Sequence, residues 1–379
     1  MDPRPTTDET LEGPALEELL HLHIATLYHP GVGVRLVETF GGPASVLSQP
    51  SHILGRTPGV TSSILQKLRS SRLREQGREE ARVVSAERIF VHAWGTPEYP
   101  PELLHLVDRP LVLFTTAPLH AESQDGSIAA RLAVVGTRRP SLYGARQCTR
   151  FVSAVSRHGL EIVSGLARGI DGRAHEAALD TGAPTTAILG CGLGRIYPPE
   201  HRSLANRIRS SPGSRLVSEL PFGATPRSFH FPMRNRILVG VARCLFVIEA
   251  GERSGSLITV RHALDQGKTV FVLPGRVDSE EARGCLRLLS DGAAVAIEPD
   301  DILLEFPELA RLAAELPNSV PEQALGKALV AAFAQTDAWH PNALAAHLKL
   351  PLTETLQLLN RLELEGHVRR VPGGHYALR

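Results

Sequence analysis

The chain has few cysteines, few aromatic residues and no clustered metal ligands. Its 379 residues include four cysteines, and aromatic side chains make up 5% of the sequence. The cysteines stand far apart without a C-x-x-C pair, and three of them lie in apolar surroundings. Because zinc sites and small disulfide frameworks show closely spaced cysteines, we expect buried thiols, no disulfide and no metal site.

Long apolar runs are also missing. No run approaches the ~20 residues that a membrane-spanning helix needs. The first residues are acidic and rich in proline and threonine, unlike a secretory signal peptide. We therefore predict a cytoplasmic protein with no membrane partner, and the composition of residues 1–13 predicts disorder.

Familiar catalytic and cofactor motifs are absent or incomplete. Residues 190–194 read G-x-G-x-G rather than the G-x-G-x-x-G of dinucleotide sites. Gly267-Lys268-Thr269 ends like a phosphate loop, but it precedes a strand where such a loop follows one. Neither G-x-S-x-G nor H-E-x-x-H occurs. The sequence predicts no bound cofactor and no ATP hydrolysis.

Charge is balanced in total and uneven along the chain. The formal net charge is +1, yet the stretch from Arg131 to His175 holds eight arginines and two acids. The stretch from Arg202 to Arg236 holds seven arginines and one acid. Two such stretches indicate a localised site for a polyanion, although a solvated helix face explains any single arginine equally well.

Apolar segments of strand length alternate with helical patterns from residue 132 onward. Alternation at this spacing predicts an α/β fold, a Rossmann-like parallel sheet with helices on both faces. We place this core at residues 81–306 and a linker at 307–320. The predicted strands are 111–114, 132–136, 160–163, 185–189, 215–218, 244–248, 269–273 and 294–297.

A smaller domain is predicted on either side of this core. Residues 14–80 contain glycine hairpins near Gly31 and Gly59, each followed by an amphipathic helix. This all-α pair resembles a SAM-like or helix-hairpin-helix module, which either contacts duplex DNA through its turns or serves only as helical packing. Residues 321–379 have a winged-helix pattern, with helices at 325–333, 341–348 and 353–364 and a two-stranded wing that turns at Gly373-Gly374. The charges of this domain nearly cancel, so regulation or protein contact is as well supported as DNA reading.

The predicted strands end in small, polar or basic residues, and ligands of open parallel sheets bind at such ends. Glycines let backbone amides approach a phosphate, and arginines supply planar forks of donors, so we expect a phosphate-bearing ligand. Residues 227–236 also alternate aromatic residues with arginines, a combination that suits unpaired bases. Phe229 and Phe231 are explained equally well as core residues.

Three side chains near the strand ends are candidates for catalysis. Asp171 and His175 lie four residues apart in a predicted helix, where Asp171 would cap the helix and His175 would share its face. We favour structural roles for both. Glu249 is either a base or the partner of Arg234 or Arg236, and we favour pairing.

A series of long motifs lies at segments 134–144, 164–175, 189–193, 218–221, 231–237, 249–250, 254–259 and 274–275. In content and order these motifs resemble the DNA-processing protein A (DprA/Smf) family. The resemblance implies a dimeric protein of natural transformation, or competence, with no enzymatic activity. Such a protein binds and shields incoming single-stranded DNA and helps to load a RecA-type recombinase in DNA recombination.

The resemblance also implies a DNA-binding pocket. Arg138 after the first strand and the turn after the second strand, with Arg168 as its cation, would hold phosphate. The segments 234–236 and 254–256 would complete the wall. The full set is Gly136, Thr137, Arg138, Arg139, Ser164, Gly165, Ala167, Arg168, Gly169, Asp171, Phe231, Arg234, Asn235, Arg236, Ser254, Gly255 and Ser256.

Two other functions stay open from the sequence. A nucleotide phosphoribohydrolase with a Rossmann core also uses an arginine and a glutamate near a phosphate. Its Pro-Gly-Gly-x-Gly-Thr signature is absent, because Arg276 follows Pro274-Gly275. A winged-helix transcription regulator with a ligand-sensing core would depend on residues 321–379.

Overall fold

The computed structural model describes residues 12–119, 130–307 and 309, together with separate stretches nearer the C-terminus. Contacts divide the chain into two compact units, Met1–Leu309 and Ala310–Arg379. Most of the predicted disordered start and of the predicted linker lies outside the described residues. The C-terminal stretches are 332–333, 336, 338–348, 355, 358–359, 362–363, 368–371 and 375–378.

Helices make up the described chain before the sheet. The two predicted glycine hairpins each precede a helix, and Arg35 joins them by donating from Nε to the carbonyl of Pro58 over 3.2 Å. The last helix continues past the predicted boundary at residue 80 and packs on the first at Gly77, where a Cβ would lie 2.8 Å from the His21 amide. The helices are α1 (Gly13–Thr26), α2 (Val32–Phe40), α3 (Pro43–Ser48), α4 (Ser51–Leu54), α5 (Ser62–Arg69) and α6 (Ser71–Ala86).

A nine-stranded sheet forms the centre of the first unit. Its strands are β1 (Phe90–Ala93), β2 (Val112–Thr115), β3 (Arg131–Gly136), β4 (Glu161–Ser164), β5 (Thr185–Ile188), β6 (Arg215–Ser218), β7 (Cys244–Ile248), β8 (Val270–Val272) and β9 (Ala294–Val295). They lie in the order β1-β2-β6-β5-β4-β3-β7-β8-β9. Strands β3 to β9 are parallel, and β1 and β2 form an antiparallel edge, so the predicted α/β class is confirmed.

Helices cover both faces of the sheet. Alternate residues of β3 belong to opposite cores, since Val135 packs on one side and Val134 on the other. A strand buried on both faces needs apolar side chains at every position, which is why these strands appear as continuous apolar runs. The helices are α7 (Leu142–Arg157), α8 (Ile170–Asp180), α9 (Arg202–Ser210), α10 (His230–Gly240), α11 (Ser256–Asp265), α12 (Arg283–Ser290) and α13 (Pro299–Leu303).

A buried ion network lies at the start of β3. The Arg131 side chain, 1% exposed, pairs with Glu161 and with Glu102, each over 2.9 Å. Arg215 approaches the same Glu161 carboxylate at 3.8 Å. Burial opposes ionisation of Glu161, but the two arginines outweigh it and lower the pKa of its carboxyl. This network holds β3, β4 and β6 together through charge.

The winding direction reverses between β3 and β7. From β3 the chain proceeds through β4, β5 and β6 on one side, whereas β7, β8 and β9 follow on the other. The loops that leave β3 and β7 therefore diverge, and a crevice opens at the carboxyl ends of these neighbouring strands. No helix among the described residues is both long and apolar enough to cross a membrane.

The C-terminal unit contains α14 (Pro341–Leu348) and an antiparallel hairpin of β10 (Val368–Val371) and β11 (His375–Leu378). These strands flank the predicted wing turn. Trp339 extends the hairpin by a bridge to Tyr376, and a small apolar core lies beneath it. The other two helices predicted here, at 325–333 and 353–364, fall largely outside the described residues.

Candidate nucleic-acid interface

A cleft of about 840 Å³ occupies the crevice between the ends of β3 and β7. Its position is the one predicted from the polar ends of the strands. It gathers segments that lie far apart in the chain, from β3, from α8 and from the starts of α10 and α11. Of the predicted site residues, those that line it are Gly136, Thr137, Arg138, Ala167, Asp171, Phe231, Arg234, Asn235, Ser254, Gly255 and Ser256.

The turn after β3 brings Arg138 to the cleft. A Cβ at Gly136 would lie 1.9 Å from the Ile248 carbonyl oxygen, so only glycine permits this close packing of β3 on β7. Arg138 follows as an exposed side chain, with its Cζ 5.9 Å from the centroid of the Phe231 ring. No carboxylate in the described part of the chain forms an ion pair with Arg138, so its guanidinium is available to an anion.

Arg234 lies buried beneath the cleft and joins the carboxyl ends of β4 and β5 to the start of α8. Its guanidinium donates to the carbonyl of Gly165 over 2.7 Å and to that of Ile188. It also lies 4.0 Å from the Asp171 carboxylate. Burial raises the pKa of Asp171, and the guanidinium opposes that rise. A Cβ at Gly165 would lie 2.0 Å from the Arg234 guanidinium, so a larger residue in this turn would displace that side chain.

The N-terminus of α11 faces the cleft from the β7 side. Ser254, Gly255 and Ser256 form this corner, and the Ser256 hydroxyl donates to the Gly136 carbonyl over 2.7 Å. The first turn of the ten-residue helix contains no acidic residue. The helix dipole favours an anion at such an end. Arg138 and this helix start therefore supply positive potential from opposite walls.

Two further arginines, which the site predicted from the sequence omitted, line the cleft. Arg227 and Arg253 are exposed, and Asp171 is the single acid among the lining residues. Arg227 belongs to the basic and aromatic segment before α10, and Arg253 directly precedes the predicted segment 254–256. Both signals were in the sequence, but a strand-end argument selects the turn itself and misses residues that fold back over it.

Some predicted residues lie beside the cleft. Gly165 and Arg168 border a small adjoining cavity together with Arg138 and Phe231. The exposed Arg168 side chain is paired with Glu200. Its charge is therefore partly neutralised before any ligand arrives.

Four other predicted residues are placed away from the cleft. Arg139 is exposed, and its backbone amide donates to Thr137 Oγ1 over 3.2 Å. Ser164 is buried and donates to the Val134 carbonyl. Gly169 caps α8 with φ 77°. Arg236 is buried and pairs with Glu219 over 2.7 Å, so it stabilises α10 against the sheet and does not face the cleft.

His175 and Asp171 share α8 but not a catalytic arrangement. The predicted helix cap is wrong, because Gly169 occupies the cap position and Asp171 lies in the first turn. His175 is fully buried, and its Nδ1 lies 2.7 Å from Thr185 Oγ1. The Thr185 hydroxyl donates to the Ile162 carbonyl, so Nδ1–H must be the donor to Thr185. Burial lowers the pKa of His175 to about 3, which keeps the ring neutral.

Glu249 does not pair with either predicted arginine. Its carboxylate accepts hydrogen bonds from the amide of Ser141 over 2.8 Å and from the Ser141 hydroxyl. Ser141 is the N-cap of α7, so the negative charge lies at a helix N-terminus, where the dipole stabilises it. A Cβ at Gly144 would lie 2.2 Å from the Glu249 carboxylate. The partner of Glu249 is thus a helix start, which the sequence argument did not consider.

The described cysteines and acids form no metal centre. All four cysteines are free and buried. Within the described ranges, no group of three or more histidine, cysteine, aspartate or glutamate side chains could hold a metal ion. The cleft itself is lined by arginine side chains and by serine and threonine hydroxyls, which are donors that suit an anion.

Comparison with known families and proteins gives matches in both units. The family model for DNA recombination-mediator protein A matches residues 90–307, and that for the DprA winged helix domain matches residues 312–374. Protein Smf of Escherichia coli (strain K12) is 38% identical over 287 residues, covering 74% of this chain and 75% of that protein. DNA processing protein DprA of Streptococcus pneumoniae is 39% identical over 208 residues, covering 55% and 71%.

Solved structures agree with these matches. The X-ray structure of DNA processing protein A from Streptococcus pneumoniae has a TM-score of 0.60 and 30% identity, covering 75% of this chain and 97% of that chain. A structure of DNA processing protein A from Helicobacter pylori, described for its single-stranded DNA binding mode, has a TM-score of 0.51 and 26% identity. It covers 58% of this chain and 96% of that one. The chain therefore belongs to the DNA recombination-mediator protein A family, that of the DprA and Smf proteins, and has a role in DNA processing.

Proposed function

We propose that this chain binds single-stranded DNA through its phosphates in the cleft. The observation that carries the proposal is the pair of opposed cationic walls, Arg138 on one side and the N-terminus of α11 on the other. Arg227 and Arg253 extend the positive surface along the rim. The described DNA-binding mode of the Helicobacter pylori relative supports the same ligand.

The cleft suits an unpaired strand better than a duplex. Phe231 lies in its wall, half-buried, with the Arg138 guanidinium near its ring. An aromatic face can stack on a base only where that base has left its partner, while neighbouring arginines follow the phosphates. Duplex readers instead place a helix or ribbon into a groove, a geometry that a concave cleft between loops does not offer.

The wider role is that of a non-enzymatic cytoplasmic mediator. Bound in the cleft, incoming DNA of natural transformation is shielded and passed to a RecA-type recombinase, and two copies of the chain act as a homodimer. Contact of the N-terminal hairpins with duplex DNA remains a prediction. Co-purification with a RecA-type recombinase and sedimentation of the pure chain test the two protein partners directly.

Absence of catalysis is part of the proposal. A phosphoribohydrolase needs a carboxylate beside the sugar to stabilise the charge that develops as the base leaves. Glu249 is engaged at the start of α7, and Asp171 lies beside Arg234. Incubating the pure protein with AMP and CMP should release no free base, and turnover that disappears in Glu249→Gln would overturn the proposal.

The decisive test compares strands and salt. A labelled single strand should bind more tightly than the matching duplex, and its affinity should fall steeply as salt rises. Arg138→Ala should cost about 1–3 kcal/mol and lower the salt slope by about one unit, because one phosphate contact is lost. Arg157→Ala is the matched control, since this exposed arginine ends α7, away from the cleft. Equal binding by the parent and Arg138→Ala at every salt concentration would refute the assignment.

A further inference from the structure

A second aromatic group, which we name the aromatic corner, lies beside the cleft. It consists of Tyr28, between α1 and α2, and Phe229, just before α10, with His230 behind them. The rings of Tyr28 and Phe229 meet edge to face, with centroids 5.4 Å apart. Their side chains are 43% and 49% exposed, respectively. Two large rings that touch and still remain half exposed form a surface open to a ligand.

The corner is fixed by the buried His230. The His230 ring stacks on Tyr28 at 5.8 Å with an interplanar angle of 6°, and lies 4.5 Å from the Phe229 ring. The Tyr28 hydroxyl is 3.3 Å from His230 Nε2. Burial lowers the pKa of His230, so its neutral ring can accept this hydrogen bond. Rings held in this way lose little conformational freedom when they bind a further ring.

The corner continues the cleft without a break in the chain. Arg227 and Ser228 line the cleft directly before Phe229, and Phe231 and Pro232 line it again directly after His230. Neighbouring Cα atoms lie ~3.8 Å apart, so Phe229 stands within one peptide unit of the cleft wall. A strand whose phosphates follow Arg227 out of the cleft reaches the corner with its next base.

We propose that Tyr28 and Phe229 form a second base-stacking site for single-stranded DNA, which takes the base of a nucleotide adjoining those in the cleft. This proposal rests on the proposed function. The occupant is a base because the corner offers aromatic faces beside Arg227, the combination that unpaired nucleotides use. Stacking on a ring accepts every base, so the site lengthens the bound strand without adding sequence preference.

The two rings come from different parts of the first unit. Tyr28 belongs to the helical segment that precedes the sheet, whereas Phe229 and His230 belong to the sheet core. The site therefore gives the helical segment a direct part in binding single strands. It differs in kind from the predicted contact of the glycine hairpins with duplex DNA.

The experiment separates the base from its phosphate. A single abasic site is moved stepwise along an oligothymidylate, and binding is measured by fluorescence anisotropy. At one position outside the cleft, removal of the base should weaken parent binding about five- to thirtyfold. Phe229→Leu should weaken binding of the intact strand by a similar factor and should show no further loss at that abasic position. Phe229→Trp should restore the affinity.

Phe90→Leu is the matched control. Phe90 is 45% exposed, an exposed fraction similar to that of Phe229, and it is the first residue of strand β1. Strand β1 is the edge strand of the sheet, separated from β3 by β2, β6, β5 and β4, and Phe90 does not line the cleft. This variant should bind like the parent. A strand carrying 5-iodouracil at the sensitive position should also crosslink to Tyr28 or Phe229.

Two results would overturn the corner as a base site. One is unchanged affinity in Phe229→Leu while Arg138→Ala still weakens binding, which would leave the proposed function intact. The other is a loss of affinity in Phe229→Leu that comes with a changed sedimentation coefficient, which would make the corner a contact between copies of the chain. Failure of Arg138→Ala to weaken binding would instead strike the proposed function itself.

Discussion

Two arginine clusters of the first unit behave in opposite ways. At the start of β3, Arg131 is enclosed and joined to Glu161 and Glu102. At the end of the same strand, Arg138 is exposed and has no ion-pair partner among the described residues. The contrast teaches that an arginine count locates charge, whereas the availability of each arginine depends on which carboxylates the fold brings to it.

The enclosed cluster should give the largest effect when it is broken. Glu161→Gln leaves Arg215 and Arg131 without their shared carboxylate, and removing one partner of a buried pair costs about 3–5 kcal/mol. Urea denaturation should show this loss of unfolding free energy. If Glu161→Gln were as stable as the parent, solvent would reach the ion network, and the contrast between enclosed and exposed arginines would not hold.

Acid should weaken the parent through the same cluster. The folded-state pKa of Glu161 lies below the ordinary value of 4.5, so its stabilisation is present above that pH. The stabilisation is lost as the pH falls from that value through the folded-state pKa, because the carboxyl takes up a proton on unfolding. Urea midpoints measured across this range should therefore converge for the parent and Glu161→Gln. A constant gap at all pH values would assign the stabilisation to packing.

Gly165→Ala tests whether the buried Arg234 supports the cleft that the exposed Arg138 lines. The added Cβ would lie 2.0 Å from the buried Arg234 guanidinium, so Arg234 must give up its bonds to the Gly165 and Ile188 carbonyls. We expect a loss of about 1–3 kcal/mol in unfolding free energy and weaker DNA binding. Gly255→Ala is the control for stability, because a Cβ there meets no atom within 4 Å. Equal stability of the two variants would show that Arg234 is free to move.

The smallest effects belong to the rim and to the start of α7. Arg253→Ala should lower the salt slope of DNA binding by about one unit and leave the denaturation midpoint unchanged, since the exposed side chain serves only the ligand. Binding by this variant with the parent's salt slope would exclude Arg253 from the interface.

Glu249→Gln should lower stability and leave DNA affinity nearly unchanged, whereas Arg253→Ala should affect DNA binding and not stability. The glutamine keeps the hydrogen bonds to Ser141 in part but loses the charge at the helix N-terminus, which costs about 0.3–1 kcal/mol of stability. DNA affinity should change little at a fixed temperature well below unfolding. A large loss of affinity without a loss of stability would place Glu249 in the cleft chemistry.

Much of the sheet was predictable, because a strand that is buried on both faces appears in the sequence as a run of consecutive apolar residues. Strands β6 and β7 match their predicted bounds, and β3 and β4 differ from theirs by a shift at the ends. The cleft was predictable for a similar reason, since parallel strands bring their carboxyl ends to one edge. Glycine at positions 136 and 165 signalled close approaches there, although not what the backbone approached.

Charge partners were not predictable, because they join residues that the sequence separates widely. Glu249 lies 108 positions from Ser141, and the segment between them contains strands β4, β5, β6 and β7. Phe229 and Arg236 belong to one basic and aromatic segment of the sequence. In the fold, the Phe229 ring contacts Tyr28, whereas the Arg236 side chain pairs with Glu219. Periodicity depends on neighbours within a few residues, so the sequence by itself determined most strands of the sheet and the end at which the cleft lies. Only the packing of distant segments decided which arginines are neutralised in the interior and which remain exposed at the cleft.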